Sequence, residues 1–301
     1  MKRRVMWYFL LLVALIVSVA FVVPWVKMSK MLDGHWSNEP YSASEFGVTS
    51  EPLSLRSADG VELSAYQVKV DNPQAVVICL GGIHSGTITN WYGHARLFAD
   101  NGYASLLLDV RAHGGSGGER IYAATREWQD VAAAVEYIRS ESYYREVPIV
   151  VMGLSMGAAT AVVSAGRIEE IDALISLSAY SSWDYNFNLH AEQTVPKVVA
   201  AVLRPFVTIV SKIRFGKYYA ITPKNEIAKL GNRSALIVQA VGDTMVYYGN
   251  FERLIAAAPP TVERWVVDCD NHCIIDDFVH PQSSAEYCNR IIDFLDRNFK
   301  R

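Results

Sequence analysis

The sequence has no internal repeat, no CxxC pair, no periodic excess of glycine or proline and no dense basic tract beyond its first residues. These absences exclude a solenoid, a collagen-like chain, a zinc ribbon and a dedicated nucleic-acid binder. Four cysteines in 301 residues are too few for a disulfide scaffold. Cys79 sits in an apolar run and reads as a small core residue. Cys269, Cys273 and Cys288 leave two options open, one disulfide among them or inert thiols. Charged residues are 20% and hydrophobic residues 51%, which excludes a disordered chain. Three of the 28 basic residues lie within the first four positions, so the rest of the chain carries 25 against 31 acidic ones. A mildly acidic body gives nucleic acid no electrostatic footing.

Charge is also missing from Val5 to Val26, 22 residues in a row. As a helix this stretch would reach roughly 33 Å, enough to cross a bilayer core. Lys2, Arg3 and Arg4 precede it and Lys27 and Lys30 follow. The denser positive end predicts an inside amino terminus and an outside body. Trp7, Tyr8 and Trp25 lie near the ends of the span, as interfacial aromatics do. A cleaved signal peptide, giving a secreted protein, is the alternative. Its apolar region would be shorter, and the far end here, Ala20-Phe21-Val22-Val23-Pro24-Trp25-Val26, makes a poor cleavage site. The expected division is an anchor or signal segment over 1–27, a polar linker over 28–50 and one domain over 51–301.

The domain alternates apolar strands with helical periodicity. Leu53–Arg56 and Val61–Val70 read as a hairpin turning at Asp59-Gly60. Strands are expected at Ala75–Leu80, Tyr103–Val110, Val147–Gly153, Ala173–Ala179, Ser234–Val241 and Glu263–Val267. Helices are expected at Asn90–Asp100, Thr125–Ser140 and Met156–Gly166. A capping box formed by Ser283 and Glu286 should open the closing helix to Phe299. Strands apolar throughout are buried on both faces, and helices between them require a mostly parallel sheet. Ligands then bind beyond the carboxyl ends of the strands. Residues 181–222 lack a sheet strand, and the apolar stretch Val198–Ile213 reads as broken near Pro205. An inserted helical lid fits this position. A lid that touches the membrane or admits lipid-like substrates is the sharper form of that reading.

Val150-Val151-Met152-Gly153-Leu154-Ser155-Met156-Gly157 is strand, then GxSxG, then a small-residue helix. A nucleophile on a sharp strand-to-helix turn takes strained backbone angles, and small residues two before and two after it avoid clashes. The turn exposes the Ser155 hydroxyl at a helix N-terminus, where developing negative charge is favoured.

Here the sequence resembles the α/β-hydrolase superfamily of serine hydrolases, over about residues 50–301. Leu80-Gly81-Gly82-Ile83-His84-Ser85-Gly86 stands where that family carries its oxyanion turn. Asp109-Val110-Arg111-Ala112-His113-Gly114-Gly115-Ser116 is similar to its Asp-x-Arg-Gly-His-Gly-x-Ser loop. Gly242-Asp243 and Asp270-Asn271-His272 follow strands where it has its acid and its histidine. Gly81 replaces a usual histidine, and Ala112 a frequent glycine. The resemblance implies an α/β-hydrolase fold: a mostly parallel central sheet flanked by helices, with a helical lid over about 181–222 and the N-terminal transmembrane helix added. The closest members are esterase-like, membrane-anchored or secreted.

A serine hydroxyl needs a base, and the base needs an orienting carboxylate. Of seven histidines, His272 follows a strand and precedes the closing helix, so it is the candidate base. His84 and His113 also follow strands and are candidate pocket-lining residues. His35 lies in the linker, while His94, His190 and His280 read as surface or packing residues. Asp243 is the candidate acid. Asp270, Asp276 and Asp277 read as turn or capping residues, and Asp109 as a loop brace. Backbone amides of Met156 and, by the resemblance, Ile83 are the candidate oxyanion donors. The expected activity is hydrolysis of acyl bonds, foremost carboxylic esters, through Ser155, His272 and Asp243 and an acyl-enzyme. A peptidase or amidase, a thioesterase, and an inactive membrane-tethered binding module are the alternatives. The expected partners are a small acyl substrate and the membrane, and neither metal nor organic cofactor is implied.

Overall fold

The computed structural model describes residues 2–300. Helix α1 spans Lys2–Leu32, and two antiparallel strands follow, β1 (Glu51–Arg56) and β2 (Glu62–Val68). Then come β3 (Val76–Leu80), α2 (Tyr92–Asp100), β4 (Ala104–Leu108), α3 (Trp128–Ser140), β5 (Ile149–Leu154), α4 (Met156–Arg167) and β6 (Ala173–Leu177). The inserted segment holds α5 (Trp183–Thr194), α6 (Lys197–Phe215) and the short α7 (Pro223–Ile227). The chain closes with β7 (Ser234–Ala240), α8 (Gly249–Ala257), β8 (Val262–Val267) and α9 (Ala285–Phe299).

The eight strands form one sheet in the order β1-β2-β4-β3-β5-β6-β7-β8, parallel from β4 to β8. β3 to β6 are buried along their whole length, as expected of continuous apolar runs covered on both faces. β8 is an edge strand and alternates instead. Tyr92, Phe98, Ile291 and Phe294 of α2 and α9 fill the core on one face. Val131 of α3, Val163 of α4 and Leu254 of α8 fill it on the other. In register, Leu80 stands opposite both Leu108 and Gly153, Leu154 opposite Leu177, and Ala240 opposite Val267. The carboxyl ends are therefore level, and the loops after them open on one edge.

Three expectations change, and the choice left open for the cysteines is resolved. The closing helix is capped by Ser284, whose hydroxyl accepts from the Tyr287 amide, not by Ser283. Pro281 starts a 3₁₀ turn that uses Ser283, which moves the cap one residue on. Helix α6 is not broken at Pro205 but runs through it. The backbone bond that proline forfeits is to Ala201, and both residues lie on the exposed side of the helix. Residues 28–50 are no free linker. Helix α1 continues to Leu32, Asp33 and Trp36 bridge to Arg120 and His113, and Phe46 packs against Tyr92. All four cysteines are free thiols, so none of Cys269, Cys273 and Cys288 is paired.

The two halves of α1 have different surroundings. Residues 3–19 are exposed throughout. From Ala20 on, every fourth residue (Ala20, Pro24, Met28 and Leu32) is buried against the body. Arg214 of α6 fixes this half: it donates to Ser29 Oγ at 2.8 Å, pairs with Asp33 and stacks over the Trp25 ring.

Candidate active site

Ser155 closes β5 and opens α4 with φ 57° and ψ −116°, a conformation that side chains rarely adopt. Its amide donates to Leu177 O at 2.8 Å, which locks the turn to β6. The two flanking glycines are steric requirements. A Cβ on Gly153 would strike the Gly157 backbone, and one on Gly157 would strike the carbonyls of Leu80 and Gly81. The turn after β3 lies directly against the serine: a Cβ on Gly82 would stand 3.5 Å from Ser155 Cβ. The amides of Ile83 and Met156 donate to no other group among the described residues.

Asp243 sits on the loop after β7, fully buried. Its Oδ1 accepts from the amides of Met245 at 2.8 Å and Val246 at 2.9 Å. Its Oδ2 accepts from Gln239 Nε2 at 3.1 Å and from His272 Nδ1 at 2.7 Å. Burial pushes this carboxyl up, but the His272 hydrogen bond and charge, with the two amides, hold it below the ordinary carboxylate value. The His272 carbonyl accepts from Ser178 Oγ at 2.8 Å. With its Nδ1 held, the ring leaves Nε2 buried and without a partner among the described residues. The other nearby acids turn elsewhere: Asp277 pairs with His280 at 3.0 Å, and Asp276 accepts from Asn271.

A cavity of about 360 Å³ reaches Ser155. Ile83, Tyr180 and Met245 line it on the domain side, and Phe187, His190 and Leu203 on the lid side. Val23, Pro24, Lys27 and Met31 of α1 complete the wall. His84 and His113 are not in this wall. His113 is buried, held through Nδ1 to Arg111 O and accepting from the His84 amide at 3.2 Å. Desolvation pushes its pKa down to about 4. His84 turns outward to Met31 O at 2.7 Å and stacks on Trp36. Both tie the β3 and β4 loops to the end of α1. Of the remaining histidines, His190 joins the wall and bonds Met245 O at 2.7 Å, although it reads as a surface or packing residue in sequence. His94 is fully buried and packs on Trp91 and Phe278.

Asp109 braces the loops, as its position suggests. Its Oδ1 accepts from the Ile88 amide at 2.7 Å and its Oδ2 from the Gly115 amide at 3.2 Å. Burial nevertheless raises it to about 6. Ala112, where the resembling family often carries glycine, stands at φ 62°, in the left-handed region that glycine occupies without strain.

Sequence reasoning did not find Gln239, Ser178 or the four α1 residues. Gln239 carries a faint signal, a lone amide in the apolar run of β7. The others carry none, because only chain crossings bring them to the site.

A GxSxG serine on a strained strand-to-helix turn, at the level ends of a parallel sheet with this strand order, defines a serine hydrolase of the α/β-hydrolase fold. A family model described as serine aminopeptidase, S33, matches residues 71–261, well over half the chain, and the chain belongs to that family. An uncharacterized Bacillus subtilis (strain 168) protein, YqkD, is 26% identical over 249 residues, covering 80% of this chain and 78% of its own. The Pyrococcus furiosus esterase Pf2001 superposes with a TM-score of 0.68 at 22% identity, over 89% of this chain and 98% of that one. The α/β hydrolase GrgF of Penicillium sp. sh18 superposes with a TM-score of 0.65 at 16% identity, over 84% of this chain and 100% of that one.

Proposed function

We propose that this protein is a membrane-anchored serine hydrolase of carboxylic esters, with Ser155 as nucleophile, His272 as base and Asp243 as its orienting acid. The observation that carries the reading is the split state of the His272 ring. Asp243, whose neighbours Met245 and Val246 line the cavity that reaches Ser155, holds Nδ1–H, so the basic lone pair of the neutral ring is on Nε2, which is buried and unpartnered among the described residues. A base must be free on that side to take a hydroxyl proton, and in unliganded enzymes the bond to the serine is commonly open.

Ser155 Oγ adds to the ester carbonyl as Nε2 accepts its proton. The tetrahedral oxyanion is held by the free amides of Met156 and Ile83, each worth roughly 3 kcal/mol of barrier. Collapse transfers the proton to the leaving alcohol and leaves an acyl-serine. Water, deprotonated by the same Nε2, releases the acid and restores Ser155.

The family description raises the amide alternative, but the cavity favours acyl esters. Its wall, among the described residues, contains no Asp or Glu, and its single charged side chain is Lys27. A free peptide amino terminus would find no carboxylate there and one repelling cation.

Helix α1 is read as a retained anchor, with α5 and α6 as the lid. Its apolar stretch reaches a mean hydropathy of 2.8 over 18 residues, and the charge bias favours an inside amino terminus with residues 51–301 outside. Signal cleavage after the span would remove Val23 and Pro24 from the cavity wall.

The test is labelling by a fluorophosphonate and turnover of 4-nitrophenyl esters. Wild type should react in both assays. Ser155→Ala should lose the label and at least about 10³-fold in kcat/KM, with folding unchanged. Undiminished ester hydrolysis by Ser155→Ala refutes the assignment.

A further inference from the structure

Helix α6 is apolar on two opposite faces. Val207 and Val210 on one face are buried, and Leu203 and Val207 line the cavity. On the other face Val198, Val202, Pro205, Ile209 and Ile213 recur at three- and four-residue spacing and are exposed, Val198 by 77%. A surface helix normally turns polar side chains outward, so this outward stripe requires an apolar cover.

The geometry of α1 identifies the cover. Its fully exposed apolar residues, 5–19, account for only about 22 Å of helix, whereas a bilayer core is roughly 30 Å thick. The missing length comes from the next turns, 20–24, and these are the turns that lie against the body. Ser211 of α6 meets Met28, and Arg214 meets Ser29 and Asp33, while Leu203 and Val207 share the cavity wall with Val23 and Pro24. The two helices therefore run in the same direction, and the amino-terminal half of α6 points back along α1 toward the bilayer. Of the exposed members of the cavity wall, Val23, Lys27 and Thr194 lie at this same end, and Met245 lies on the domain side.

We propose that α1 is both anchor and substrate wall: the outward face of α6 rests in the leaflet, and a bilayer-resident ester of one long-chain fatty acid enters between α1 and α6 and reaches Ser155 without crossing water. This rests on the esterase reading and names its substrate class. A cavity of about 360 Å³, near the lower end of the roughly 300–1,000 Å³ typical of ligand sites, suits a single chain. Its aliphatic and aromatic walls replace the lipid tails the chain leaves, so the transfer exposes no apolar surface.

The test uses the full chain reconstituted in phosphatidylcholine vesicles. It compares 4-nitrophenyl palmitate dissolved in the bilayer with 4-nitrophenyl acetate in the water. In the triple variant Val198→Asp, Val202→Asp, Ile209→Asp, palmitate turnover should fall at least tenfold while acetate turnover stays within twofold. Val23→Trp, which fills the wall, should also shift preference toward acetate. Palmitate turnover unchanged in the triple variant, or both esters falling together, overturns this inference while wild-type acetate turnover leaves the esterase reading standing. A wild type inactive on both esters refutes the esterase reading itself and this inference with it.

Discussion

His272 donates from Nδ1 to Asp243 Oδ2 across 2.7 Å, and that bond joins the loop after β7 to the loop after β8. Asp243 is itself held by four donors, with Gln239 and two loop amides supplying the others. The ring therefore has one orientation and one tautomer, set from behind.

Asp243→Asn keeps the shape of the acid but presents an amide where a carboxylate accepts, which favours the wrong tautomer of His272. The expected result is a fall of about 10⁴ in kcat on a 4-nitrophenyl ester. A fall of less than tenfold would show that Asp243 does not orient the base. The same carboxyl lies below its ordinary pKa in the folded protein. Its contribution to stability is thus full above the ordinary carboxylate range and lost as pH falls through the lowered folded value. The urea stability gap between wild type and this variant should narrow on acidification.

Asp109 has the opposite sign. Its folded pKa is raised to about 6 by burial. Its contribution is full below the unfolded carboxylate range and is lost as pH rises to about 6. Asp109→Asn removes that titration. Between pH 3 and pH 7 the stability of the variant relative to wild type should rise by about 3 kcal/mol. Urea unfolding across that interval reads it directly, and a constant difference contradicts the assignment.

Gly157→Ala tests the steric argument at the serine turn. The added methyl meets the Leu80 and Gly81 carbonyls, which are backbone and cannot swing aside. The variant should lose about 3 kcal/mol of stability or more. Fluorophosphonate labelling of the folded fraction should also slow, because the displaced β3 turn carries the Ile83 amide. A variant as stable and as reactive as wild type would mean that α4 moves freely off β3.

Much of this arrangement was legible before any coordinates. Continuous apolar runs mark β3 to β7 because strands covered on both faces have no polar side to reveal. The GxSxG turn reads from sequence because the strain at Ser155 and the close approaches at Gly153 and Gly157 admit few residue types. Where local signals compete, the reading slips. Ser283 and Ser284 are equivalent caps until the 3₁₀ turn from Pro281 takes one of them. Pro205 looks like a helix end because the sequence does not say that its side of the helix carries no contact to break. His84, His113 and His190 show the same limit. A histidine after a strand is brought near the catalytic edge, but which way its ring turns depends on neighbours from distant segments. Here Met31 O and Arg111 O draw two of them away, while the lid carries the third into the wall.

The chain alone determined that an apolar N-terminal span precedes an α/β sheet whose loops carry a serine, an acid and a histidine in that order, because strand burial, turn strain and span length are properties of contiguous residues. Only tertiary structure decided that Gln239 and Ser178 brace those groups and that the last turns of the N-terminal helix form part of the cavity wall. Those contacts join segments far apart in sequence, and nothing in either segment by itself encodes the other's position.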